Sequence, residues 1–415
     1  MTTEQMFGQQ LGLGKAWRVV EARLESGSST FLLKVEETAA LWLEESARSG
    51  SSVTCHDHVE QMQWRHLNVF NKECVNVCAL PGGRSGDDGK VYHVTPPWEG
   101  RSKHFTQEFE ALALTLMREM PIKRVGHILS ESNSRMWRML FAHVKAAHER
   151  LSFANVVWVG TGEMNRRKGQ TYLTLFADLL AEGVRFATLG KDASVWKAFA
   201  AGLLHHNEHP KAIRRVAIDM SVTYTKGVSG NLENAQVVNN KFYVIQNVVE
   251  ACDEVRKGES RSDDEKRELL ERTLWLWIKN RMNWAKKKIH KWESMALERC
   301  VTGTAYEMRL VLHVIYQWRD AEVAKKMFGN WCAWVKAIRG QTGELLEPKA
   351  RAARIIEGRL AGILAHWTHG LTTTYMKGLN SLLSAVRRKA RGYRTVEYMT
   401  DIVYFDAGNL TLTCN

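Results

Sequence analysis

Residues 155–189 read NVVWVGTGEMNRRKGQTYLTLFADLLAEGVRFATL. Three runs rich in β-branched and aromatic residues follow one another here, at 156–160, 170–176 and 184–189. Their links are short and polar, Arg166-Arg167-Lys168-Gly169 and Glu182-Gly183, which is the punctuation of consecutive strands. Downstream the period alternates. The spacing predicts a helix over 194–204, a strand over 216–219, a helix over 222–228, a strand over 235–238 and a helix over 241–256. The stretch is therefore an α/β domain that opens on three strands in a row.

That succession is the order of a ribonuclease-H-like fold, which carries acidic residues on its first strand, at the end of its fourth and on a late helix. Working outward toward the C-terminus, 257–350 is highly charged and reads as helical. Trp277, Trp284 and Trp292 fall seven and eight residues apart, on one helical face. Such a stripe is core in most helices, with base stacking as the other use. Lys286, Lys287, Lys288 and Lys291 beside it read as a solvated face, with DNA contact second. Further on, NSLLSAVRRKARGYR (380–394) carries Arg387, Arg388, Lys389, Arg391 and Arg394 and no acid, the strongest local signal for phosphate contact in the chain.

Toward the N-terminus the chain is more broken. Four of the six prolines lie between Pro81 and Pro121, so long regular elements belong to the later residues. Short strands are expected at 17–21 and 30–35, with soft spots at the Ser-rich 46–52 and at GGRSGDDG (82–89). After Pro96-Pro97-Trp98 the pattern turns helical, with Phe105, Phe109, Leu112 and Leu116 on one face. A short helix from Pro121, a turn at 130–132 and a third helix follow, the last with Trp137, Leu140, Phe141 and Val144 inward. This is a helix-turn-helix layout that turns Asn133, Arg135 and Arg138 outward. A plain three-helix packing module fits the same pattern; the outward basic residues favour DNA contact.

Composition bounds the rest. A length of 415 residues suggests roughly three domains at about 150 residues each. With 45% hydrophobic and 25% charged residues the chain is neither disordered nor fibrous. No apolar run reaches the ~18 residues of a membrane span. The start, MTTEQMFGQQLGLGKAW, lacks the features of a secretory signal, which predicts a cytoplasmic protein. Seven scattered cysteines argue for free thiols rather than a disulfide framework. A formal charge of +13 points to a polyanionic partner, nucleic acid first.

A dozen segments in order resemble the ISL3 (ISL-three) family of bacterial DDE transposases. Among them are LGLGKAWRV (11–19), WRHLNVF (64–70), PPW (96–98), FTQEFEALAL (105–114), RRKGQTYLTLFAD (166–178), IDMSVTYTKGV (218–228), EPKARAARII (347–356) and GLNSLLSAVRRKARGYR (378–394). The resemblance implies five regions: a degenerate zinc-finger-like β module at 1–95, a helix-turn-helix domain at 96–150, the first part of a ribonuclease-H-like core at 151–256, a Trp-rich helical insertion at 257–350, and the rest of the core with its basic helix at 351–415. It also implies a catalytic triad of acids, and here this chain departs. Gly162 stands where the first Asp is expected, followed by Glu163; Asp219 keeps the second position; Lys377 replaces the third acid. The family's Asp-x-Phe-His has become Asn240-Lys241-Phe242-Tyr243. Three carboxylates would balance a pair of Mg²⁺ ions roughly 3.5–4 Å apart; Asp219 with Lys377 carries no net charge.

The resemblance implies a finger of two Cys-x-x-Cys pairs as well. The first has shrunk to Cys55-His56-Asp57-His58 and the second falls in GGRSGDDGK, which has no ligand. Isolated thiols in an unmetallated module are expected, with a rebuilt zinc site of Cys55, His58, Cys74 and Cys78 as the alternative. The expected function is therefore a catalytically inactive transposase-like protein without cofactor. Its expected partner is double-stranded DNA at repeat or end-like sites, bound through Asn133, Arg135, Arg138, Arg166, Arg167, Lys168 and the basic residues of 387–394. A homodimer or higher homo-oligomer follows from the family, with further protein partners possible and roles in regulation, DNA organisation or defence. Two alternatives stay open: an active enzyme whose site is rearranged around Asp219 with Glu163 or Asp178, and a structural or inhibitory subunit of an active complex.

Overall fold

The structure is a computed structural model. It describes every residue except 1, 26, 168–170, 219–220, 263, 272–276, 278–299, 370–377, 379–380, 382–383, 387–394 and 413–415, and leaves out the side chains of 165–167, 171, 265, 269, 368 and 369. It is a mixed α/β chain of two units, Met1–Leu151 with Ser384–Asn415, and Ser152–Leu383.

In the first unit, helix α1 (Thr3–Gln10) precedes strands β1 (Trp17–Leu24) and β2 (Thr30–Glu37). Helix α2 (Ala39–Ser49) leads into a long hairpin of β3 (Val53–Val69) and β4 (Lys72–Ser85), and β5 (Val91–His93) adds to β4. The sheet order is β1-β2-β4-β3, with β2 parallel to β4. The hairpin turns on Phe70 and Asn71, whose φ of 47° and 60° are both left-handed, as a tight primed turn requires. Sequence periodicity passes over β3 because most of it is exposed, and its run TCHDHVEQMQWRH (54–66) shows no alternation. Three tryptophans hold the sheet's core: Trp98 meets Trp17 and Trp64 edge-on, with ring centroids 5.1 and 5.8 Å away.

Three helices follow, α3 (Gln107–Glu119), α4 (Ile122–Ile128) and α5 (Asn133–Glu149). Thr106 and Ser132 cap α3 and α5, each accepting a backbone N–H three residues on. The helices stand where the sequence puts them, and Phe105, Phe109, Leu140 and Val144 are buried as expected; two positions differ. Leu112 and Phe141 are exposed, while Ala113, Met117, Met136, Met139 and His143 are buried. The reason is a buried polar pair. Glu110 and His143, at 0% and 2% exposure, face each other across α3 and α5, an inward position that a hydrophobic count cannot register. The C-terminal helix, Val396–Ala407, packs against this module: Tyr398 stacks on Trp137 with centroids 4.5 Å apart, and Phe405 lies under the Arg118 guanidinium. The 351–415 region drawn from the sequence is thus divided, its last helix packing with the N-terminal unit.

The second unit holds the sheet read from 155–189. Its strands are β6 (Trp158–Arg167), β7 (Thr171–Asp178), β8 (Gly183–Leu189), β9 (Arg215–Ile218) and β10 (Gln236–Asn239), in the order β10-β9-β6-β7-β8. The first three run antiparallel, while β9 and β10 continue parallel to β6. Helices α6 (Ser194–His205) and α7 (Val222–Asn231) supply the intervening crossovers, and α8 (Lys241–Ser262) leaves β10. Phe199 of α6 stacks on Phe176 of β7, Trp196 meets Phe176 edge-on, and Gly227 lets α7 approach so closely that a Cβ there would lie 2.2 Å from Trp196.

Further α-helices of this unit, among the described residues, are α9 (Asp264–Leu270), α10 (Val301–Ile315), α11 (Ala321–Thr342), α12 (Glu347–Gly358) and α13 (Leu360–His369). Trp277, Tyr306, Phe328 and Trp331 pack with α8 into one apolar cluster. Trp277 is therefore core, as its helical spacing suggests; Trp284, Trp292, Lys286, Lys287, Lys288 and Lys291 lie outside the described residues. Among the described residues, no helix is long and apolar enough to cross a membrane.

Candidate functional site

The three-helix module is built around two buried carboxylates. Glu110 accepts hydrogen bonds from the backbone N–H groups of Arg101 and Ser102 at 2.8 and 2.7 Å, and from His143 Nε2 at 2.8 Å. It thereby fastens the 99–105 loop to the helices. Gly100 is needed for this, since a Cβ would come within 2.5 Å of the carboxylate. The loop closes with His104 in the left-handed region, φ 77°, its carbonyl accepting the Arg65 N–H. Glu131 occupies the turn before α5. Burial pushes its carboxyl up, an effect opposed by the Arg135 and Arg65 charges.

Those charges decide how the outward residues are read. Arg135 donates to both Glu131 oxygens at 2.9 and 2.8 Å and lies over the Phe105 ring. It is half-buried and engaged in the turn, not presented outward as its helical position suggests, because Glu131 sits one turn earlier on the same face. Asn133 is half-buried as well, with a buried Oδ1 that has no hydrogen-bond partner. Arg138 is exposed. It lines a cleft of about 380 Å³ with Ser102, Lys103, His104, Phe105 and Arg135. Lys103 and His104 escape a helix-based reading because they precede the helix; the loop's bonds to Glu110 and Arg65 bring them beside Arg138.

In the second unit, Gly162 on β6 pairs with Leu175, and Glu163 with Thr174. Successive strand residues face opposite sides, so Glu163 points away from the side on which position 162 would direct a carboxylate. Its own carboxylate accepts from Tyr224 Oη at 2.8 Å. Tyr224 Oη in turn lies 2.9 Å from Thr174 Oγ1, which donates to the Gly190 carbonyl. Asp178 is buried in the β7–β8 turn, accepting the N–H groups of Leu180 and Ala181 at 2.9 and 3.2 Å, with Arg185 3.7 Å away. It is four residues beyond Thr174, or roughly 13 Å along the strand. The two carboxylates are thus too far apart to share a metal pair. Asp219, Lys377, Lys168, Arg387, Arg388, Lys389, Arg391 and Arg394 lie outside the described residues; Arg166 and Arg167 end β6, and their side chains lie outside the description.

The four residues of the alternative zinc site do not come together. Cys74 and Cys78 are buried in the tryptophan core, where desolvation pushes both thiols up to about 12. Across the hairpin they pair with His66 and Met62, whereas Cys55 pairs with Gly83 and His58 with Pro81. Cys55 is exposed; partial burial and the nearby Glu37 and Asp57 charges raise its thiol. His58 Nε2 lies 2.6 Å from Glu37 Oε1, a partner contributed by β2 that the sequence reading missed.

A model of the ISL3 group of DDE proteins, described as a transposase, matches residues 159–403. The chain is also similar to the transposase for insertion sequence element IS1001 of Bordetella parapertussis, with 23% identity over 305 residues, 72% of this chain and 73% of that protein.

Proposed function

The chain belongs to the ISL3 family of transposases, and from that membership we propose that it is a catalytically inactive transposase-like protein that binds double-stranded DNA. The observation that carries the inactive reading is Gly162, a position without a side chain on the strand from which the family's chemistry takes its first carboxylate. Glu163 is a poor substitute, since it faces the other side and is bound to Tyr224. Asp178 is committed to its turn. A divalent-ion pair does not fit Gly162, Glu163 and Asp178 so arranged. The β10-β9-β6-β7-β8 order, with three antiparallel strands and two parallel additions, supports a ribonuclease-H-like core retained as a scaffold.

DNA binding rests on the three-helix module read as a helix-turn-helix. The cleft beside α5 gathers Lys103, His104 and Arg138 on a loop and a helix fixed by Glu110 and Glu131. Phosphates are positioned by such cations, while base edges read by the start of α5 give sequence preference. Asn133 and Arg138 are the proposed readers, with Arg166, Arg167, Lys168 and the basic residues of 387–394 as further phosphate contacts. The decisive experiment is a supercoiled-plasmid nicking assay with Mg²⁺ and with Mn²⁺, run beside a duplex gel shift. A retarded duplex without nicking is expected. Metal-dependent nicking that Asp219→Ala removes would overturn the inactive reading, and no shift at about 50 mM salt, the low end of the range for such contacts, would overturn DNA binding.

A further inference from the structure

The four-thiol finger that the family implies does not fit this chain, because Cys74 and Cys78 are sealed in the core and no ligand replaces the second pair. The side chains that do converge are different ones. Glu37, at the end of β2, and Cys55 and His58, on β3, bring one potential ligand atom each within 4.8 Å of one another, the one such group among the described residues. Strands β2 and β3 are not neighbours, since β4 runs between them. At this level β4 reads Pro81-Gly82-Gly83, opposite His58, Asp57 and Cys55. A Cβ on Gly82 would lie 2.2 Å from Asp57 Oδ1, so the missing side chain is what lets β3 close over the strand here. His58 Nε2 and Glu37 Oε1 already lie 2.6 Å apart. Asp57 adds a second negative charge beside the thiol.

We infer that Glu37, Cys55 and His58 form a three-ligand site for a divalent transition metal of the zinc type, with the fourth position open to solvent. One sulfur, one imidazole nitrogen and one carboxylate oxygen suit Zn²⁺, whereas the thiol and imidazole exclude Mg²⁺ and Ca²⁺ as preferred occupants. Bonds of about 2.0–2.3 Å in a tetrahedron place ligand atoms roughly 3.3–3.7 Å apart, a side-chain adjustment from the arrangement seen. The ion would displace the proton from Cys55 and the hydrogen bond between His58 and Glu37. Its effect would be structural: it ties β2 to β3 across β4, where Gly82 and Gly83 carry no side chain.

The test uses the full chain, stripped with a chelator and reduced with a phosphine, and Co²⁺ as a spectroscopic probe. One equivalent should develop a thiolate-to-cobalt charge-transfer band with tetrahedral d–d absorption, and Zn²⁺ should displace it and raise the melting temperature. Cys55→Ser should remove the charge-transfer band, and His58→Gln or Glu37→Gln should each weaken binding by at least about 10-fold, as loss of far weaker outer contacts already does. A band that survives Cys55→Ser, full affinity in both other variants, or no thiolate band in the parent would each overturn the site. Circular dichroism of each variant separates lost ligands from lost fold. Duplex binding is measured separately, so failure here leaves the proposed function standing.

Discussion

At the scale of single residues, Arg135 shows how a side chain's partners add to what its helical position says. Its position one turn into α5, beside Arg138, marks it as a reader of DNA. The structure instead turns its guanidinium back to Glu131 and over Phe105. Replacing Arg135 with Ala leaves the Glu131 carboxylate, 6% exposed, with the more distant Arg65 as its nearest remaining charge. A loss of about 1–3 kcal/mol is expected from an unsatisfied buried acceptor, read as a fall in the denaturant midpoint. Arg138→Gln should leave the midpoint unchanged while weakening DNA binding. If both variants unfold alike, or if Arg135→Ala is as stable as the parent, the division of roles between the two arginines fails. Gly162 lies at the opposite extreme. There the sequence alone carries the argument, because an absent side chain needs no structure to be read, and the structure adds only that neighbouring Glu163 is already bound to Tyr224.

Elements were more legible than their faces. The strands of 155–189 and their alternating helices emerge from periodicity because each sends apolar side chains into the buried core. The β3–β4 hairpin does not, since much of β3 is exposed and its register is set by bulges at 55–57 and 58–61. The Glu37 ligand is invisible for a related reason: strand pairing, not spacing, brings it to His58. The C-terminal helix Val396–Ala407 is a third case, since nothing in its own residues says which part of the chain it packs against. On that helix Asp401 is 8% exposed, with an unpartnered Oδ2, and burial together with the Glu397 charge pushes its carboxyl up to about 7. The folded value lies above the ordinary one of about 3.9, so its contribution to stability is complete below that pH and is lost as pH rises through 7. Each pH unit in this window costs up to about 1.4 kcal/mol. Asp401→Asn should therefore flatten the melting temperature between pH 5 and 8 and exceed the parent at pH 8. Parallel pH profiles for the two proteins would contradict the assignment.

For the whole molecule, charge and family membership converge on one measurable property. A surplus of +13 over 415 residues raises affinity for any polyanion, so binding alone says little; the dependence on salt says more. The family reading also proposes a dimer or higher assembly, which light scattering giving a single chain's mass both free and on DNA would exclude. If Lys103, Arg138 and the basic residues of 387–394 together neutralise about six phosphates, log K should fall with log[salt] at a slope near −5. The two groups then separate by number. Lys103→Gln with Arg138→Gln should reduce the slope by about 2, one per lost phosphate contact. Changing Arg387, Arg388, Lys389 and Arg391 to Gln should reduce it by up to about 4 and weaken every duplex equally. Asn133→Ala should leave the slope alone and narrow the gap between preferred and random duplexes, since base contacts release no counterions. A slope that stays near −5 in both charge variants would mean that the phosphates are held elsewhere on this basic chain, and the cleft beside α5 would lose its place in the interface.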